Sequence, residues 1–223
     1  MPPSVDFNLA RQNMIEQQIR PWDVLDQRTL DLFERIHRED FVPSEFRQLA
    51  LADVNIRLPF GESTMAPKVE ARMIQSLALT PHDKVLEVGT GCAFVTAMLA
   101  SAAGEVHSVD IHPEFTRAAA PKLDRCGLDN VRLHSGDAAR GWREQAPYDA
   151  IAVTGSVPTP AQMGAFEQEL RPAGRLFIIV GTSPVMEAML VTRVGENEWS
   201  RESLFETDLP PLLHVTEPPK FRF

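Results

Sequence analysis

Residues 85–94 read "VLEVGTGCAF", and the fold is decided there. An apolar run, Val85 to Val88, ends directly in Gly89-Thr90-Gly91, and an apolar stretch of helical character, "FVTAMLASAA" (94–103), follows. Two glycines at this spacing let a backbone turn tightly between a strand and a helix and come close to a ligand. A Gly-x-Gly turn also occurs where nothing binds, so the neighbouring sequence has to choose between a plain turn and a nucleotide site.

Working outward, short apolar runs recur at 84–89 ("KVLEVG"), 105–110 ("EVHSVD"), 131–137 ("VRLHSGD"), 148–155 ("YDAIAVTG") and 175–181 ("RLFIIVG"). Helical stretches separate them: 94–103, "PEFTRAAAPKLDRCG" (113–127) and "PAQMGAFEQELRP" (160–172). Strands alternating with helices predict an α/β fold with a doubly wound, mostly parallel sheet. Past residue 181, "AMLVTRVGENEWSRESLFETDL" predicts two strands around a turn at Gly195-Glu196-Asn197, an antiparallel sheet edge.

Upstream, residues 8–20 predict a helix with Asn8 as N-cap and Pro21 as its stop, and Asp26 caps a second, "QRTLDLFERIH". Pro43 interrupts the mixed stretch that follows, and "KVEARMIQSLAL" (68–79) is amphipathic. The expected organisation is a helical lead-in, residues 1–57, packed on a domain of residues 58–223 as one structural unit.

Composition narrows the function. A net charge of −9 and a pI near 5.2 argue against nucleic acid or an anionic membrane as partner. No apolar run approaches the roughly 20 residues a membrane span needs. The opening "MPPSVDFNLARQN" lacks the pattern of a secretion signal, and two cysteines outside any CxxC exclude a disulfide framework, so the cytoplasm is the expected location. The six histidines (37, 82, 107, 112, 134, 214) show no metal-ligand spacing, and no metal is expected.

Three acids then select the ligand. Glu87 precedes the turn, Asp110 closes the next strand where a carboxylate can accept both ribose hydroxyls, and Asp137-Ala138 ends the third beside an adenine edge. The third glycine of a dinucleotide fingerprint is replaced by Phe94, and no Gly-Lys-Ser/Thr phosphate loop exists. Glu87 would repel a phosphate and favour a cationic end. The combination favours S-adenosylmethionine over NAD or ATP.

Taken together, "RQNMIEQQIR" (11–20), "REDFVP" (38–43), "VLEVGTGCAFVTAMLA" (85–100), "GLDNVRLHSGDAARGW" (127–142), "APYDAIAVTGSVP" (146–158) and "LRPAGRLFIIVG" (170–181) resemble the protein-L-isoaspartate O-methyltransferase family, from about residue 9 to 195. The resemblance implies a class I, Rossmann-like methyltransferase that transfers a methyl group from S-adenosylmethionine to an isoaspartyl carboxylate of a protein or peptide. It implies cofactor contacts at Glu87, Gly89, Thr90, Gly91, Asp110, Ile111, Asp137 and Ala138.

The chain departs from that family in "LPFGESTMAP" (58–67), where the family has Gly-Gln-Thr-Ile-Ser-(x)-Pro. Glu62 takes the Gln position, Ser63 the Thr position, and Met65 falls on the hydroxyl at the methyl-transfer site. Methionine offers only a weak acceptor there. The catalytic candidates are therefore Ser63, Thr64 and Met65, with Ser63 or Thr64 reaching the hydroxyl's place or Met65 lining a site for a less polar, small-molecule acceptor. A relative that binds cofactor or a partner without catalysis is the third reading. Cys92-Ala93 replace the usual Ser-Gly, and Ser156 is a further pocket candidate. The tail "LLHVTEPPKFRF" (212–223) reads as docked on the domain, or as a pocket lid or self-association element.

Overall fold

Alternation along the strands sorts side chains onto two faces of one sheet. On one face lie Val85, Val106, Ala150, Ala152, Phe177 and Ile179; on the other lie Leu86, Val88, Val109, Ile151, Val153, Leu176 and Ile178, all buried. That period of two places a separate apolar layer on each side. The computed structural model describes residues 5–216. Its strands are β1 (Lys84–Val88), β2 (Glu105–Asp110), β3 (Val131–Ser135), β4 (Tyr148–Val157), β5 (Leu170–Thr182), β6 (Val185–Gly195) and β7 (Glu198–Thr207). They form one seven-stranded sheet in the order β3-β2-β1-β4-β5-β6-β7. The first five pair in parallel, and β6 and β7 add the antiparallel edge.

The helices are α1 (Phe7–Met14), α2 (Gln27–Arg35), α3 (Pro67–Leu77), α4 (Phe94–Ala102), α5 (Pro113–Arg125) and α6 (Gly164–Gln168). The lead-in helices, α3, α4 and α5 cover the first face, whose core holds Met14, Phe33, Met73, Met98 and Leu123. Met163 and Phe166, in and before α6, and the half-buried Trp142 cover the second.

Three local expectations are corrected. The first helix is capped by Asp6, whose Oδ1 accepts from the N–H groups of Asn8 and Leu9, at 3.0 and 3.1 Å. Beyond Met14 that helix widens into a π-turn over Ile15–Ile19 and tightens over Arg20–Trp22, so Pro21 falls inside the last turn and Asp23, at φ 59°, ends it. The helix foreseen over 160–172 stops at Gln168, because Leu170 already pairs with Tyr148 in the sheet. Asp26 caps α2 as expected, accepting from the Thr29 N–H.

Register aligns the strand ends. Val88 lies opposite Val109 on one side and Val153 on the other, and Asp110 lies opposite Ser135. Gly89, Asp110, Gly136 and Thr154 consequently gather at the same end of the parallel strands, Thr154 where the register of β4 shifts between Ala152 and Ser156. Because the chain winds outward from β1 in both directions, a crevice opens there between diverging connections.

Candidate active site

That crevice is a cleft with about 690 Å³ of open space, lined among others by Gly89, Gly91, Asp110, Ile111, Asp137, Ala138 and Thr154. Its floor is the turn after β1. Gly89, at φ 98°, has Thr154 Oγ1 only 2.2 Å from where a Cβ would stand. Thr154 is held there by donating to the carbonyls of Val88 and Gly89 at 2.9 and 2.8 Å. Only glycine fits, since both the backbone angle and the space reject a side chain. Ala93, at φ 70°, adopts a left-handed conformation just before α4 without a glycine's freedom.

Asp110 is held by two backbone groups: its Oδ2 accepts from Gly91 N–H and its Oδ1 from His112 N–H, both at 2.9 Å. Burial pushes its pKa up and these bonds pull against that shift. Each oxygen keeps a lone pair for a further donor. Asp137 behaves oppositely. Burial again pushes upward, but the Ala139 N–H and the His214 ring, 2.9 Å away, outweigh it and hold the carboxyl below its usual range.

Glu87 does not reach the cleft. It is fully buried beneath the turn, where its Oε2 accepts from Thr96 Oγ1 at 2.6 Å and Ser108 Oγ at 2.5 Å. Burial pushes its pKa up to about 8 despite those two bonds, so it is largely protonated at neutral pH. Thr90, also buried, shares a 2.7 Å bond with Ser108. Glu87 and Thr90 brace the turn from below, while Gly89 and Gly91 present its upper surface.

The opposite wall is the loop 58–67, which folds back on itself through a 2.8 Å bond from Leu58 N–H to the Glu62 carbonyl. Phe60 and Gly61 turn the chain at φ 64° and 85°. Phe60 stacks on His112 at 4.4 Å and tethers the loop to the β2–α5 connection. Glu62 Oε1 lies 3.8 Å from His112 Nε2, and burial raises its pKa.

The three candidates in this loop diverge. Thr64 is buried, and its Oγ1 accepts from Arg38 Nη2 at 2.9 Å and from Ile56 N–H at 3.0 Å. Met65, 3 % exposed, lines a smaller neighbouring pocket with Cys92, Phe94 and Val95. Ser63 lines both this pocket and the main cleft, and its hydroxyl makes no hydrogen bond among the described residues. Ser63 is therefore the hydroxyl of the loop that stands open to both spaces.

Sequence reading missed what holds this wall. Arg38, 1 % exposed, donates from Nε and Nη2 to both carboxylate oxygens of Glu70 at 3.0 and 3.1 Å. It also donates to the carbonyls of Ala50 and Met65 at 2.6 and 2.8 Å. The two charges are separated by 32 positions, so no local pattern joins them. Thr154 and Leu209 to Pro211 were missed as well, while Leu212 and Leu213 begin the tail that the sequence reads as docked or as a lid; Leu209 to Leu213 line the cleft, anchored by Ser156, whose Oγ donates to the Leu209 carbonyl at 2.9 Å. Ser156 is thereby fully buried and faces away from solvent. Leu212 and Leu213 form part of a cleft wall, and residues 217–223 of the tail lie outside the described residues.

Among the described residues no cluster of three or more metal-ligating side chains exists, and no helix is long and apolar enough to cross a membrane.

Comparison with known proteins agrees with the geometry. Residues 9–214 match the family model described as "Protein-L-isoaspartate(D-aspartate) O-methyltransferase (PCMT)", which extends the likeness beyond residue 195 to the cleft-lining segment. A protein-L-isoaspartate O-methyltransferase 2 from Marinobacter nauticus is 35% identical over 209 residues, 93% of this chain and 94% of that protein. A protein-L-isoaspartate O-methyltransferase from a Picosynechococcus species is 38% identical over 187 residues, 82% and 83% of the two chains. A solved Plasmodium falciparum structure, described as a protein-L-isoaspartate O-methyltransferase in complex with S-adenosyl-L-homocysteine, superposes with a TM-score of 0.74. It covers 94% of this chain and 99% of that one at 16% identity, a likeness of fold.

Proposed function

The chain belongs to the protein-L-isoaspartate(D-aspartate) O-methyltransferase family, whose members use S-adenosylmethionine, and from that premise we propose that it methylates isoaspartyl carboxylates of proteins or peptides in the cleft between Gly89 and Ser63. The observation that carries the reading is that one cleft is walled on one side by the Gly-x-Gly turn and Asp110, and on the other by the loop 58–67.

The residues fit the cofactor. Gly89 and Gly91 leave the backbone bare, with a Cβ at Gly91 only 3.3 Å from Leu58. Asp110 has free lone pairs for ribose hydroxyls, and Asp137, Ala138 and Ile111 would border the adenine. When bound, S-adenosylmethionine supplies a methyl group made electrophilic by a positively charged sulfur.

The chain's remaining tasks are alignment and exclusion of water. An isoaspartyl carboxylate, with a pKa of about 4, is already ionised near neutral pH, so no side chain has to remove a proton. One carboxylate oxygen attacks while the other needs a donor to fix its angle. Ser63 is the hydroxyl positioned to give that bond, whereas Thr64 is committed to Arg38 and Ile56. Glu87 and Thr90 support the turn, and Met65 limits the smaller pocket.

Met65 also supports a second reading, a different and less polar acceptor, because it replaces a polar group next to an apolar pocket. An assay with isoaspartyl peptides separates the two. Methyl transfer at a rate above that to the matched aspartyl peptide is the expected result; none, with S-adenosylmethionine still bound, would overturn the isoaspartyl assignment and leave the second reading.

The lead-in 1–57 and the domain 58–223 are taken as one working unit, a view supported by the bonds Arg38 makes to Thr64, Met65 and Glu70. A cytoplasmic site of action is consistent with the two free thiols, Cys92 and Cys126.

A further inference from the structure

Beside the C-terminal ends of α2, α4 and α5, an open groove is lined by Arg35, His37, Asp40, Lys122, Arg125 and Cys126, among others. In a chain of net charge −9 this concentration of cations stands out. Asp40, the groove's acid, is already engaged by Arg47 at 3.0 Å. Arg35, at the end of α2, and Arg125, at the end of α5, form no ion pair among the described residues.

Lys122 joins the groove to the active site. Its Nζ donates to the Phe41 carbonyl at 2.6 Å and to the Cys92 carbonyl at 3.1 Å, and Cys92 belongs to the turn that follows β1. Burial pulls the Lys122 pKa down, and no carboxylate lies within ion-pair distance among the described residues to offset that cost. An anion in the groove would.

We propose that this groove is a second binding site, for a small ligand carrying at least two anionic groups, coupled through Lys122 to the cofactor turn. Arg35 and Arg125, from two separate helices, hold the anionic groups as forked donors, and the third N–H of Lys122 completes the set. Drawing Lys122 toward the ligand loosens its hold on the Cys92 carbonyl, so ligand and cofactor oppose one another. By linkage the opposition is equal in both directions. The site rests on charge and geometry alone; only the coupling rests on the cofactor reading above.

The experiment is titration calorimetry of the full chain with diphosphate, citrate and orthophosphate. Diphosphate or citrate should bind with a Kd below about 1 mM and more tightly than orthophosphate. Diphosphate ahead of citrate identifies phosphorylated ligands, and the reverse identifies polycarboxylates. The double variant Arg35→Gln/Arg125→Gln should bind at least about tenfold more weakly with an unchanged thermal melt. Saturating ligand should weaken S-adenosylmethionine binding about threefold or more, an effect lost in Lys122→Met. Absence of binding at about 10 mM, or equal affinity in the double variant, overturns the site. Tight ligand binding without any change in cofactor affinity overturns the coupling. A chain that binds diphosphate but no S-adenosylmethionine would instead overturn the proposed function.

Discussion

Arg38 donates to Thr64 across a 2.9 Å bond, which ties up one hydroxyl of the loop 58–67 while that of Ser63 stays unbonded among the described residues. The guanidinium comes from the lead-in and bonds the Thr64 hydroxyl and the Met65 carbonyl, so the shape of this cleft wall depends on a residue that does not itself line the cleft. Removing one partner of such a buried pair typically costs about 3–5 kcal/mol, because the other charge is stranded. Arg38→Met should lower the melting temperature sharply, while Glu70→Gln, which keeps a neutral acceptor, should cost less. Equal and small effects in both would mean the pair does not hold the loop.

Ser63→Ala should reduce kcat/KM for an isoaspartyl peptide by about tenfold to a hundredfold, the equivalent of one hydrogen bond to a charged group. Cofactor affinity by calorimetry should stay within about twofold. Met65→Ser should raise the same kcat/KM by restoring a donor near the smaller pocket. If Ser63→Ala is silent, the orienting group lies elsewhere.

Glu62 places a carboxyl on the cleft wall, beside His112. Glu62→Gln should raise kcat/KM for isoaspartyl peptides severalfold toward alkaline pH, since an ionised carboxylate there would repel a carboxylate acceptor. Its raised pKa means the wild type itself neutralises as pH falls. The advantage of the variant should therefore shrink as pH falls, and an advantage constant with pH would discount the charge.

Glu87 gives a stability profile of defined sign. Its folded pKa, about 8, lies above the ordinary value of 4.5, so the folded chain holds the proton more tightly than the unfolded one. Stability contributed by this group is complete below pH 4.5 and declines as pH rises through 8, by up to about 1.4 kcal/mol per pH unit. His107 and His134, whose pKa values are lowered by burial, contribute in the opposite sense at acid pH. The informative quantity is thus the difference between wild type and Glu87→Gln. Denaturant melts from pH 5 to 8 should show the variant gaining on the wild type; parallel curves would contradict a protonated Glu87.

Ala93 carries a left-handed backbone inside the cofactor turn. Ala93→Gly should be neutral or stabilising by up to about 1 kcal/mol, where the same change at an ordinary helical position costs that much. A fall in the melting temperature would show that the buried methyl group matters more than the backbone angle.

What the sequence makes legible is local. Val85 to Gly91, Asp110 and Asp137 announce themselves because strand, turn and acid are consecutive, and the sheet's register then brings them to one end of the parallel strands. Asn8 was the expected cap and Asp6 is the cap, since both residue types can accept from the first N–H groups and only the entry angle of the chain separates them. Arg38 with Glu70, Thr154 over Gly89, and Leu209 to Pro211 are invisible locally, because each acts on a partner that only the folded sheet brings near. Residues 169–174 mislead for a different reason. "ELRPAG" continues a helical composition, yet the pairing of Leu170 with Tyr148 captures it for β5.

The cleft wall at Leu209 to Leu213 follows β7 and crosses back to Ser156, to which it is tied by the bonds Ser156 N–H to Pro210 carbonyl and Leu212 N–H to Ser156 carbonyl, at 3.1 and 2.9 Å. All seven strands and the glycine turn precede this segment in the chain, so a protein ending at Thr207 should keep its sheet and have an open trough where the full chain has a cleft.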